Sequence, residues 1–297
     1  MKLIVDSGST KTDWCFSENG EIDARIVTKG INPIVQKVEE MGSIMADELS
    51  ASLNEHGVNA RDIESVHFYG AGCTPQKSDS IKNLLVAQFA NAKTVEVNSD
   101  LLAAARSLCL HKGGIACILG TGANSCLYNG NEIISHTPAL GYILGDEGSG
   151  AVMGKKFVNG ILKGWLPNYI RDKFMCDWHL SEADIIDKVY RQSSPNRFLA
   201  SISKFIASCI GDCPQIESMV IDNFKKFITI NIVPYLQYTK SGTTLDMNNI
   251  NAVGSIAFHF RRQLEYAAMD TGFHVGKIQT SPMDGLVEYH FWGNANI

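Results

Sequence analysis

Two short apolar runs break off into small-residue turns in the same way at two points of the chain. Leu3 to Val5 leads into DSGSTKTDWCF, and Ile115 to Leu119 leads into GTGANSCLY. Each reads as a strand that turns sharply, resumes as a short apolar segment and meets an Asn-Gly pair. Those pairs, Asn19 with Gly20 and Asn129 with Gly130, are the strongest short-range hairpin signal. Glu21 and Ile22 follow the first, Glu132 and Ile133 the second. Aligning Cys15 with Cys126 puts the two units roughly 110 residues apart, too long for a solenoid period. The pattern predicts a duplicated α/β domain, each copy opening on a β-hairpin whose glycine turn projects into a shared cleft.

Helical periodicity fills the rest: Gln36 to His56, Ser78 to Phe89, Asp100 to Leu110, Gly150 to Leu162, Glu182 to Tyr190, Ile216 to Tyr238 and Phe258 to Ala268. Pro234 is expected to kink or end the sixth of these. No Pro-, Ser- or Gly-rich linker separates the halves. The repeat places the boundary at residues 113 and 114, giving domains 1–113 and 114–297 with a hinge between them and a C-terminal helix able to pack back on the first.

Composition narrows the class. With 297 residues and 45% hydrophobic content the chain can bury a large core. A formal charge of −5, with 26 Lys and Arg scattered without a run, supplies no field for a nucleic-acid backbone. No apolar stretch approaches the roughly 20 residues that cross a bilayer, and Met1 to Val5 runs straight into Asp6 without a signal-peptide pattern. A cytoplasmic protein with no membrane partner is the expectation. The eight cysteines sit mostly in apolar runs, as reduced thiols that behave as small hydrophobes. Cys209 and Cys213 are four apart, but Gly211 and Pro214 disturb their helix and no second pair has zinc spacing.

The glycine turns carry the chemistry. Gly8, Ser9, Thr10 and Lys11 combine a backbone free to approach an anion, hydroxyl donors and an ammonium group, the ingredients of a phosphate loop. Gly120, Thr121 and Gly122 repeat the first two. A lone glycine turn in a hairpin is usually only a turn; two in register are more. No GxxxxGK[ST] segment occurs, and the glycines from Gly148 to Gly154 miss the dinucleotide spacing. At Gly254 and Ser255, between Ala252 and Ala257, an apolar strand meets a turn before a helix, which fits ordinary packing as well as a nucleotide contact. Asp146 and Glu147 in GDEGSG precede a helix and suit its dipole. Ser99 and Asp100 precede LLAAARSLCL, where either can serve as a plain N-cap; taken alone, capping is the stronger reading.

In order, DSGSTKTD (6–13), LGTGANS (119–125) and VGSIA (253–257) resemble the two phosphate motifs and the adenosine motif of the sugar kinase, heat-shock ATPase and actin superfamily. The chain is most similar to the branch holding eukaryotic N-acetylglucosamine kinase and the ATPase activators of benzoyl-CoA reductase and 2-hydroxyacyl-CoA dehydratases. The resemblance runs to about Val287, and the N-acetylglucosamine kinases also carry GDEGS after the second phosphate motif. It implies two ribonuclease H-like domains, an ATP and Mg²⁺ requirement, and phosphorylation of an amino sugar, N-acetylglucosamine to its 6-phosphate above all.

The resemblance also implies roles. Asp100 becomes the catalytic base, because the acceptor kinases place an Asp at a helix start before the second phosphate motif. Asp6 holds hydrated Mg²⁺; Gly8, Ser9, Thr10, Lys11, Gly120, Thr121, Gly122, Gly254 and Ser255 bind ATP. Asn32, in the Gly30-Ile31-Asn32 segment, binds sugar with Gly72, Asn124, Asp146 and Glu147, amides both donating and accepting as hydroxyls require. Asn32 before Pro33 is otherwise an ordinary loop pair, and Asp13 is a weaker candidate that can simply satisfy local backbone donors. The animal kinases carry a Gly-Trp pair ahead of GDEGS, whereas this chain has Ala139 to Leu144 in its place, leaving the exact sugar open. The alternatives are an activator ATPase, although DIGGQD is missing, and a non-catalytic sugar sensor, since fold does not dictate function. A homodimer is left open, as is the role of the tail from His290 to Ile297.

Overall fold

A computed structural model describes residues 1–8, 10–241 and 245–292. By internal contacts the chain divides into two units. Unit 1 is Met1–Lys112, Gly130–Glu132 and the segment from Ser281 onward; unit 2 is Gly113–Asn129 and Ile133–Thr280. Among the described residues, no helix is long and apolar enough to cross a membrane.

Unit 1 is built on β1 (Lys2–Ser7), β2 (Lys11–Ser17), β3 (Ile22–Lys29), β4 (Ser65–Gly70) and β5 (Thr94–Ser99), in the order β3-β2-β1-β4-β5. β1, β2 and β3 form antiparallel hairpins, and β4 and β5 join in parallel. The helices are α1 (Val38–Ser43) and α2 (Ser50–Glu55), linked through a π-helical turn at Ile44–Leu49, then α3 (Ser78–Gln88) and α4 (Asp100–Cys109). Side chains alternate across a strand, and β1 buries both faces as its apolar run requires. Leu3 and Val5 join Trp14, Phe16 and Phe68 in a core with Met45, Leu49 and Leu85. Ile4 points the other way, into a cluster with Cys15, Tyr69 and Ala103.

Unit 2 repeats the plan with β6 (Gly113–Leu119), β7 (Ala123–Asn129), β8 (Ile133–Thr137), β9 (Asp246–Val253) and β10 (His274–Gln279), in the order β10-β9-β6-β7-β8. Read from the other edge, this is the strand order of unit 1, with the same antiparallel hairpins and parallel partners. The duplication expected from the sequence is therefore a duplication of topology. Its helices are α5 (Gly141–Leu144), α6 (Gly150–Lys163), α7 (Asn168–Trp178), α8 (Glu182–Tyr190), α9 (Pro195–Ser201), α10 (Ser203–Cys209), α11 (Pro214–Phe227), α12 (Ser255–His259) and α13 (Arg261–Asp270). They enclose one continuous core that includes Ile115, Phe157, Phe174, Phe205, Phe224 and Phe260.

Three stretches expected to be helical are not single α-helices: Gln36 to His56 carries the π-helical turn at Ile44–Leu49, and two lie in unit 2. The Ile216–Tyr238 stretch is α-helical only to Phe227, widens to a π turn at Ile228–Ile232 and tightens to a 3₁₀ helix at Val233–Ser241. Pro234 sits at the start of that last piece, where its missing N–H costs little. The Phe258–Ala268 stretch breaks at Phe260, whose φ of −108° and ψ of 28° separate α12 from α13 while its ring is buried. Core packing outweighs helical continuity there.

The last helix, α14 (Met283–Phe291), belongs to unit 1. It lays Met283, Leu286 and Val287 into the cluster around Ile4 and Ala103, so unit 1 is covered on both faces of its sheet. Leu286 has 0% exposure, and Leu286→Ala should lower unfolding stability by about 2–5 kcal/mol. Denaturant titration of the intact chain checks this; a loss below about 1 kcal/mol would mean that α14 does not seal the core.

Candidate active site

In unit 1 the parallel register brings distant motifs to one edge. Ser7 lies beside Gly70, and Gly70 beside Ser99, so the turn after β1, the Gly70-Ala71-Gly72 corner and the start of α4 share the carboxyl ends of adjacent strands. Open α/β sheets bind ligands at such ends. The first glycine turn is closed by the Gly8 N–H donating to the Lys11 carbonyl at 2.9 Å, and the Gly30 N–H donates to the Thr10 carbonyl at 3.1 Å. Ser9 falls outside the described residues.

Asp6 and Asp100 are deeply set at this edge. Burial, then the charges of Asp100 and Asp13, push the Asp6 carboxyl up to about 7 against the pull of Lys11 and Arg25. Burial also raises Asp100, opposed by hydrogen bonds from the Leu101 and Asp100 backbone amides. The capping question has a direct answer: the Ser99 hydroxyl accepts from the Leu102 N–H at 3.2 Å, so Ser99 is the N-cap and Asp100 is the first residue inside α4. Asp13, expected to satisfy local backbone donors, among the described residues takes a two-pronged ion pair from Arg25 instead. Among the described residues no group of three or more His, Cys, Asp or Glu is disposed to hold a metal. A hard cation at Asp6 would therefore keep most of its water, as Mg²⁺ does.

Asn32 is 7% exposed, and its side-chain oxygen accepts from the Ile34 N–H at 3.0 Å. Ser7 fixes the same segment by donating to the Ile31 carbonyl at 2.9 Å. Gly72 has a φ of +78°, and a Cβ there would strike the Asn32 oxygen, so only glycine lets this corner close on Asn32.

In unit 2 the second glycine turn rests on the start of α6. The Gly150 and Ala151 N–H groups donate to the Gly120 and Thr121 carbonyls at 2.9 and 3.1 Å, and Ser149 caps the helix through the Val152 N–H at 3.1 Å. Asp146 packs against Gly122; burial raises its pKa, partly offset by a hydrogen bond from the Ala123 amide. Gly254, with a φ of +124°, runs so close to the Leu119 carbonyl that any Cβ would collide with it. The segments 119–125, 145–150 and 253–257 thus meet, although up to about 130 residues of chain separate them.

The sequence missed three supporting side chains. Burial lowers the pKa of His136, which donates through Nε2 to the Asn124 side-chain oxygen at 2.9 Å. That oxygen also accepts from the Ser125 N–H at 3.0 Å, so the orientation of the Asn124 amide is fixed from two sides. Asn231 donates to Glu147 at 3.4 Å, and Arg25 anchors Asp13. His136 was within reach of hairpin counting: it pairs with Cys126 across β7 and β8, on the same face as Asn124. Nothing local marks Asn231.

No family model matches the chain. An N-acetylmuramic acid/N-acetylglucosamine kinase of Clostridium acetobutylicum is 25% identical over 223 residues, 70% of this chain and 71% of that one. The crystal structure of a candidate N-acetylglucosamine kinase from Porphyromonas gingivalis is 43% identical, covers 100% of both chains and superposes with a TM-score of 0.91. A ROK family glucokinase from Streptomyces griseus, in complex with glucose and AMPPNP, shares the fold at 14% identity, covering 97% of each chain with a TM-score of 0.55.

The shifted carboxyl gives a test of the charge balance. Asp6 ionises near 3.8 when unfolded and near 7 in the fold, so its contribution to stability is complete below pH 3.8 and is lost as pH rises to 7. Asp6→Asn removes that loss. In metal-free protein, the stability of the variant relative to wild type should rise across this interval, read as thermal midpoints from pH 4 to 8 with EDTA. A constant difference would place Asp6 in an ordinary solvated setting.

Proposed function

The chain belongs to the sugar kinase family that holds the N-acetylglucosamine kinases, and from that membership we propose that it transfers the γ-phosphoryl group of ATP to a hydroxyl of an amino sugar, N-acetylglucosamine to its 6-phosphate. The observation that carries the reading is the state of Asp100: a carboxylate that does not serve as the N-cap, since Ser99 does, and that burial makes more basic. A general base needs both accessibility to the acceptor proton and a raised pKa.

In this reading the acceptor hydroxyl gives its proton to Asp100 as its oxygen bonds to the γ-phosphorus. The bond from that phosphorus to the β,γ-bridging oxygen breaks, and ADP leaves with the electron pair. Positioning and charge neutralisation supply most of the acceleration in such transfers. Gly8, Ser9, Thr10 and Lys11 in unit 1, and Gly120, Thr121 and Gly122 in unit 2, serve the phosphates; Gly254 and Ser255 serve the nucleoside. Bound Mg²⁺ would neutralise phosphate charge beside Asp6, whose crowding by Asp13 and Asp100 favours a cation there.

For the sugar, unit 1 offers Asn32 and Gly72, and unit 2 offers Asn124, Asp146 and Glu147. His136 and Asn231 are positioning residues that fix how Asn124 and Glu147 point. The stretch without the Gly-Trp pair forms α5, with Leu140 at a φ of 63°, so the acceptor is best identified by coupled ADP release across amino sugars with and without Mg²⁺.

Asp100→Asn should lower turnover by about 10² to 10⁴ with sugar and ATP affinities nearly intact. Because Ser99 carries the cap, folding stability should also hold, whereas Ser99→Ala should cost about 1 kcal/mol. Wild-type turnover in Asp100→Asn on the best sugar would overturn this kinase mechanism.

Asn32→Ala and Asn124→Ala should each weaken sugar use by about 1–3 kcal/mol while sparing ATP. Equal losses for both substrates would point to a folding defect, visible by circular dichroism.

A further inference from the structure

Unit 2 carries a groove along α6 and α11. A cavity of about 590 Å³ there is lined by Lys156, Trp165, Gln215, Asp222, Lys225 and Lys226, among others. No residue of the glycine turn, of GDEGSG or of the Gly254 segment lines it.

The charges in this groove do not balance. Lys225 is answered by Asp270 on α13, 2.6 Å away. Lys156 is half-buried and, among the described residues, its side chain forms neither an ion pair nor a hydrogen bond. Burial and the neighbouring Lys226 and Lys155 push its pKa down, against the pull of Asp222 and Glu147. A partly desolvated ammonium that shares a cavity with a second ammonium is an unfavourable arrangement, and it occurs in a chain of net charge −5. An anion seated between Lys156 and Lys226 would relieve it. Lysines bind phosphate as point charges with rotatable donors.

The groove also has an apolar side. Trp165 is 47% exposed while its Nε1 donates to the Asn159 side-chain oxygen at 3.1 Å, so the ring is fixed with much of its surface free. Met219, 6% exposed, completes the lining. A fixed indole suits the C–H face of a small polar carbon skeleton.

We propose that the α6–α11 groove is a second ligand site, which binds a phosphate monoester of a small polyhydroxy compound, with Lys156 and Lys226 on the phosphate and Trp165 against the carbon skeleton. The assignment is independent of the kinase reading. Trp165 fluorescence, corrected with Trp165→Phe, reports binding in the intact chain at constant ionic strength. The probes are sodium phosphate and N-acetylglucosamine 6-phosphate.

Saturable binding is expected for both probes, tighter for the sugar phosphate. Lys156→Ala and Lys226→Ala should each weaken it on the order of 10-fold or more, and Lys11→Ala in the other unit should leave the signal unchanged. Lys156→Gln replaces Lys156→Ala if the latter does not fold. Three results overturn the proposal: no saturation by about 10 mM, a range that already covers weak anion sites; undiminished affinity in both lysine variants; or loss of the signal in Lys11→Ala. Equal affinity for the two probes overturns the assignment to a monoester and leaves a site for inorganic phosphate.

Discussion

The central strand of each unit is buried on both faces. Leu3, Ile4 and Val5 of β1, like Ile115, Ala116 and Cys117 of β6, have 0% exposure, which leaves no position along those runs for a group that must meet solvent or ligand. Polar chemistry is thereby pushed to the strand ends. Asp6 is the last residue but one of β1, the first glycine turn follows β1, the second turn follows β6, and the parallel neighbours deliver Gly70, Ser99 and Gly254 to the matching ends. The helices answer the same constraint, since each sheet needs both faces covered, and α14 returns to unit 1 to complete that cover.

Electrostatics at the end of β1 follow from this crowding. Three carboxyl groups converge where desolvation is greatest, and the protein treats them differently. Asp13 is neutralised by Arg25; Asp6 is left partly protonated near neutrality; Asp100 has its pKa raised while backbone amides hold it in place. Neighbouring carboxyls with diverging environments separate into distinct roles. Arg25 therefore matters to chemistry it does not touch, because an unpaired Asp13 would add to the repulsion on Asp6.

Unit 2 shows a different economy. Its glycine turn borrows rigidity from the first turn of α6, and Asn124 and Glu147 borrow orientation from His136 and Asn231. The long insertion between α6 and β9 builds the core around Phe157, Phe174 and Phe205 and also creates the lysine-lined groove along α11. One helix, α6, thus both holds the second glycine turn through its first residues and contributes Lys156 to the groove.

Much of this was legible in the chain. The apolar runs, the Asn-Gly pairs and their repeat were enough to fix the duplicated α/β architecture and the position of both glycine turns, because hairpin and strand signals are local and depend on backbone sterics that each residue carries with it. Tertiary structure alone decided three things. It gave the helix cap to Ser99 and made Asp100 the first residue inside α4, a choice between adjacent residues of equal local propensity. It broke the helix at Phe260 because burying that ring outweighs propensity. It also placed Arg25 on Asp13, His136 on Asn124 and both Lys156 and Lys226 on the lining of one cavity. Such pairings depend on strand register and helix packing, which join residues far apart in sequence, and a pKa is set by those neighbours and their burial rather than by the residue itself.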